Sequence, residues 1–168
     1  YGADVLMSRK TDVDVALEDR TNWANNNDSD LFISIHCNGA SDTTARGFSV
    51  YYHGEDTVVG NNYTGYLLAH KVHDAIYREV TWSGYNIIDR GVKADTLIYP
   101  NYGFYVLRNA QMAAILIETL FITNDDDASL LMDEDFQWAV ARGIVRGIFR
   151  YISPGFKIYS NEKDVHSS

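Results

Sequence analysis

Two short segments constrain this chain more than any other feature. LFISIH, residues 31–36, and AAILIE, residues 113–118, are apolar or small until each ends on an ionisable side chain. A strand with one wet face alternates apolar and polar residues, whereas a strand apolar at every position is covered on both faces. Two such strands call for helices above and below a sheet. They also raise a question of chemistry, because each delivers an imidazole or a carboxylate to the place where the core stops.

The rest of the chain supplies the partners. DVLMSR (4–9) is predicted as a strand ending at Arg9. Val15, Ala16, Asp19, Trp23 and Ala24 predict a helix, capped by Asp12 or Asp14 and ended by the asparagine run 25–27. GFSVYYH (47–53) is a third strand, rich in β-formers. A helix is expected over 62–80, with Tyr66, Ala69, His73 and Ile76 near one face. The glycine- and tyrosine-rich stretch 81–103 lacks periodicity and is expected to be a long functional loop. FYVLR (104–108) is predicted as a short strand. Asp125 to Asp127 are expected to cap a short helix, and Asp133 a longer one in which Phe136, Val140, Ile144, Ile148 and Ile152 repeat every four residues. SPG (153–155) stops it. The expectation is a single α/β domain, a mostly parallel mixed sheet flanked by helices on both faces, over residues 1–152, with 153–168 as a tail.

Composition narrows the partners. A formal charge of −9, without a basic stripe, argues against nucleic acid. No run is long enough for a membrane span. The single cysteine, Cys37, excludes an internal disulfide and a multi-cysteine zinc cluster. The opening YGADVLMSRK has no charged start followed by an apolar core, so no signal peptide is visible. It reads as a turn entering a strand in mid-fold, which implies a larger reading frame.

Ligands in open α/β sheets sit outside the carboxyl ends of the strands, where His36 and Glu118 fall. A neutral imidazole is a common zinc ligand. A carboxylate at the rim of an apolar strand should have a raised pKa, which suits a general acid or base. Position alone equally allows His36 to bond a backbone carbonyl and Glu118 to cap the next turn with Thr119 and Asn124. One histidine and one glutamate do not make a zinc site, which needs three or four protein ligands. His70 and His73 share a helix face with core residues and read mainly as structure. His53 ends a strand and could line a cleft, and His166 lies in the tail. Cys37 reads as a small buried hydrophobe. Asn38 returns to the His36 side, to orient substrate or hold the turn. Tyrosines grouped in 85–105 suit a sugar- or peptide-binding groove.

In order along the chain, SIHCNGA, GFSVYYHGED, LLAHKVHDAI, DRGVK, FYVLR and ILIETLFITNDDD resemble the zinc-dependent N-acetylmuramoyl-L-alanine amidases, peptidoglycan hydrolases of cell-wall, phage and sporulation lysins. The resemblance runs from about residue 1 to 152. It implies zinc held by two histidines and a glutamate, with His36 as the second histidine, Glu118 as the catalytic glutamate and Asn38 near substrate. It implies a water whose proton Glu118 takes and later hands to the leaving amine. The bond cut would join the lactyl group of N-acetylmuramic acid to L-alanine of the stem peptide. The family's first histidine, on a Gly-His-Gly-Gly-like turn, and its metal-binding glutamate have no counterpart in this sequence. The alternative reading is therefore a metal-free, non-catalytic relative that binds peptidoglycan or regulates. Either implies a bacterial envelope, secreted, phage or spore location.

Overall fold

The computed structural model describes residues 2–54 and 65–153. The tail from 154 onward, with His166, and the start of the expected helix at 62–64 lie outside the described residues.

Among the described residues four strands form one sheet in the order β1-β4-β2-β3: β1 Leu31–Asn38, β2 Phe48–Tyr52, β3 Asp89–Ala94 and β4 Ala113–Phe121. β1 and β4 run parallel, as do β2 and β3, while β2 meets β4 antiparallel. The mixed, mostly parallel sheet is as expected. The helices are α1 Leu17–Asn26, α2 Gly65–Trp82, α3 Tyr105–Asn109, α4 Asp125–Met132 and α5 Glu134–Ile152.

β4 explains the layering. Its alternate residues Ile115 and Ile117 enter the larger core with Leu68, Val72 and Ile76 of α2 and Phe136, Ala139 and Val140 of α5. Ala114 and Leu116 point the other way, into a smaller core with Tyr51 and with Val106 and Leu107 of α3. A strand buried on both faces can carry no polar residue until it leaves the core, and β4 carries none until Glu118.

The long helix α5 follows its sequence rules. The Asp133 carboxylate accepts from the Asp135 and Phe136 amides, filling the orphan donors of the first turn. Gly143 and Gly147 then let α5 close on α2: a Cβ on either would lie 2.4 Å from the Cα of Ile76 or Val72. The Asp127 carboxylate is almost fully buried and accepts from the Gly47 and Phe121 amides. It fastens the entry of β2 to the exit of β4.

Four expectations fail. Residues 4–9 form no strand, and Val5 is 79% exposed. A strand needs a neighbour for its amides and carbonyls, and among the described residues nothing pairs with the outer edge of β1. FYVLR is not a strand but the one-turn helix α3, with Leu107 and Arg108 amides bonded to the Phe104 carbonyl. Its adjacent Val106 and Leu107 both face the smaller core, which a strand could not arrange. The expected loop 81–103 contains β3, an edge strand whose charged residues and Gly91 hide the period-2 signal. Helix caps also shift. Ala16, not Asp12 or Asp14, precedes α1, and Asn124 rather than an aspartate caps α4 through the Asp127 amide.

Candidate active site

His36 and Glu118 are direct register partners across the parallel pair β1 and β4. Neighbouring strands lie about 4.8 Å apart, and partners in register share a face, so the two side chains meet at the carboxyl ends of both strands. The face is that of α1 and α3, because Glu118 continues the row of Ala114 and Leu116.

Glu118 is half-buried, and its Oε2 has no hydrogen-bond partner and no solvent contact. Burial disfavours the charged form and pushes its pKa up to about 7. His36 is also half-buried. Burial lowers its pKa first, helped by the positive charges of Arg20 and Arg9, so the neutral imidazole is favoured. Arg20 is itself held on α1 by an Nε donation to the Val15 carbonyl at 2.8 Å. The site thus pairs a neutral ring with a carboxyl poised between protonation states.

The third member escaped the sequence reading. Ser49 of β2 stands opposite Glu118 on its other side, in the antiparallel register. Its hydroxyl is fully buried and unpartnered. A row His36–Glu118–Ser49 therefore crosses three adjacent strands. The one available signal was a polar residue inside the otherwise apolar FSVYY, which reads as ordinary alternation until the register is known.

The other candidates fall elsewhere. The Asn38 side-chain oxygen accepts from the Gly39 amide at 2.8 Å, so it supports the turn after β1. Cys37 is exposed, not buried, because it lies at the open end of an edge strand; burial of its sulfur environment and the nearby Glu118 raise its pKa. His53 packs its Nδ1 3.3 Å from the buried Asp95 carboxylate. That contact lies beyond Tyr52, the far end of the sheet from Glu118. His73 is buried against Phe48, with Nε2 2.7 Å from Asp89, and the His70 ring meets that of Tyr66 at a tilt of 58°. Neither lies with His36.

The donor set decides what a zinc ion would find here. Among the described residues no three His, Cys, Asp or Glu side chains converge as a metal cage. His36 and the unpaired Glu118 oxygen offer one imidazole and one carboxylate, short of the three protein ligands catalytic zinc takes. The described residues do not by themselves fit the metal.

Comparison with known proteins defines the class, an α/β domain of the amidase type. The family model described as N-acetylmuramoyl-L-alanine amidase matches residues 1–150. The endolysin of Bacillus phage SPP1 is 39% identical over 148 residues, 88% of this chain and 49% of that protein. The sporulation-specific N-acetylmuramoyl-L-alanine amidase of Bacillus subtilis (strain 168) is 35% identical over 147 residues, 88% of this chain and 50% of that protein. The solved N-acetylmuramoyl-L-alanine amidase from Clostridium difficile 630 superposes with a TM-score of 0.77 at 32% identity, covering 91% of this chain and 74% of that one. The chain spans about half the length of the two relatives in sequence. It belongs to the N-acetylmuramoyl-L-alanine amidase family.

Proposed function

We propose that the protein hydrolyses the amide bond between N-acetylmuramic acid and the L-alanine of the peptidoglycan stem. The observation that carries this reading is the in-register meeting of His36 and Glu118, with one Glu118 oxygen buried and unpaired. Glu118 is assigned as general base and then general acid. A carboxyl titrating near 7 can both take a proton from water and return it to a leaving amine. His36, held neutral, is the imidazole that would serve as one zinc ligand, short by itself of the three a catalytic site takes. Zinc, when bound, lowers the pKa of water and polarises a carbonyl. Asn38 is proposed to orient substrate only through the turn it holds.

A relative named as an endolysin and another named as a sporulation-specific amidase support a proposed role in lysis or at the cell envelope. No helix among the described residues is long and apolar enough to cross a membrane. Zinc-supplied protein should release stem peptides from purified cell walls, and Glu118→Ala and His36→Ala should abolish release. Absence of release by the wild type would refute the reading. The second reading is a non-catalytic, metal-free relative that binds peptidoglycan or regulates; the observation behind it is that no three His, Cys, Asp or Glu side chains converge among the described residues. It predicts sedimentation with peptidoglycan, no bound zinc and no turnover.

A further inference from the structure

The face that carries His36 and Glu118 continues past Ser49 to the edge strand β3. Phe48 and Val50 enter the larger core, so the alternate residues Ser49 and Tyr51 face the α1/α3 side. Tyr51 is in register with Leu116 on one side and with Lys93 on the other. Register partners share a face. Lys93 therefore stands on the same side of the sheet as Glu118, one step along the strands from the row His36–Glu118–Ser49. Two strand spacings and two residues of strand rise put the Glu118 and Lys93 backbones about 12 Å apart.

The ground between them is low. Ser49 is small, and the register shift between Phe48 and Val50 sets it against Arg90 and Gly91. The Arg90 guanidinium is drawn aside over the Phe121 ring and donates to the Arg46 carbonyl at 3.2 Å. Gly91 has a φ of +78°, and a Cβ there would meet nothing within 4 Å. Its amide is fixed by the Asp89 carboxylate at 2.7 Å. A shallow trough thus leads from Glu118 across β2 to Lys93.

The cations around the site are not engaged alike. On the His36 side, Arg9 donates to the Val13 carbonyl and Arg20 to that of Val15. Lys93 is half-buried, and among the described residues it has no carboxylate or carbonyl partner. Burial lowers its pKa first and the like charge of Arg90 lowers it further, with no acid to offset either. Asp95, two residues on, accepts from the Gly54 and Phe104 amides instead. A partly desolvated ammonium without an anion is costly, and the trough is open to a ligand that brings one.

We propose that Lys93 binds a free carboxylate on the stem-peptide residue that follows L-alanine, and so sets a preference for acidic over amidated stems. The span suits this assignment. An extended peptide covers about 3.5 Å per residue, so one whose amide bond lies at Glu118 brings its second residue within reach of the lysine. The formal charge of −9 repels an anionic peptide at long range, which leaves a local cation to hold it. The choice of a peptide carboxylate rests on the amidase reading. A binding test without turnover lets the two fail separately.

The experiment titrates the chelator-treated full chain at low salt with N-acetylmuramoyl-L-alanyl-D-glutamic acid and, separately, with the diamide of the same compound. The wild type should bind the acid about fivefold more tightly than the diamide. Lys93→Gln should bring the two affinities to within about twofold of each other by weakening the acid alone, with an unchanged circular-dichroism melt. Lys93→Arg keeps the charge and should keep a preference for the acid. Equal binding of the two probes by the wild type, binding of neither, or a preference that survives Lys93→Gln overturns the proposal. So does equal weakening of both probes by Lys93→Gln, which marks a structural role. Selective binding without release of stem peptides from cell walls leaves Lys93 its role and removes the hydrolytic reading. Release with equal binding of the two probes does the reverse.

Discussion

The two faces of the sheet are finished in opposite ways. The α2/α5 face is closed: Gly143 and Gly147 bring helix onto helix at backbone contact, and Leu68, Val72 and Ile76 are essentially inaccessible. The α1/α3 face carries the smaller core and ends in unfinished chemistry. Glu118 Oε2 and Ser49 Oγ are buried without partners, beside a half-buried His36. A buried polar group without a hydrogen bond costs about 1–3 kcal/mol. The tight face supplies the stability that lets the other hold groups in an unfavourable state, the usual relation between scaffold and site.

That contrast is broken most severely by removing the carboxylate. Glu118→Gln should lower turnover of muramyl peptide by about 10²–10⁴-fold, the range of a lost general acid–base, with the fold intact by circular dichroism. Gly147→Ala attacks the other face. Its new methyl meets the Val72 Cα, so chemical denaturation should show a loss of about 1–3 kcal/mol while KM is little changed.

A finer test uses pH. A carboxyl whose folded pKa is raised from 4.5 to about 7 binds more protons folded than unfolded across that interval. The wild type must therefore lose stability as pH rises from about 4.5 to 7 relative to Glu118→Gln. The loss should be on the order of 1 kcal/mol after allowing for partial exposure, read by urea titration of chelator-treated protein. The smallest effect is expected at Ser49. Ser49→Ala removes a buried, unpartnered hydroxyl, so stability should hold or rise by up to about 1 kcal/mol, unlike most core substitutions. A clear loss would mean that the hydroxyl has a partner.

The same contrast governs what could be read from sequence. β1, β4, α2 and α5 were legible because burial on a face writes itself as periodicity. His36 and Glu118 were legible as strand ends. Their juxtaposition was not, because register between strands 82 positions apart leaves no local mark; it appears only in the pairing His36↔Glu118. Ser49 was hidden for the same reason. FYVLR misled because β-forming residues, in a segment of one turn, were overruled by the need to bury Val106 and Leu107 on one side. DVLMSR had the propensity of a strand but no neighbour to bond. The edge strand β3 carried too many charges and a positive-φ glycine, Gly91, to show a pattern.

The central claim is that the sheet delivers Glu118 to the rim of the core with an oxygen shielded from water and from every donor. A carbon-13 NMR titration of the Glu118 carboxyl in chelator-treated protein reads this directly. The account predicts a midpoint of about 7. A midpoint near the ordinary 4.5 would contradict it, since it would mean that the carboxylate is solvated or hydrogen-bonded in the folded protein.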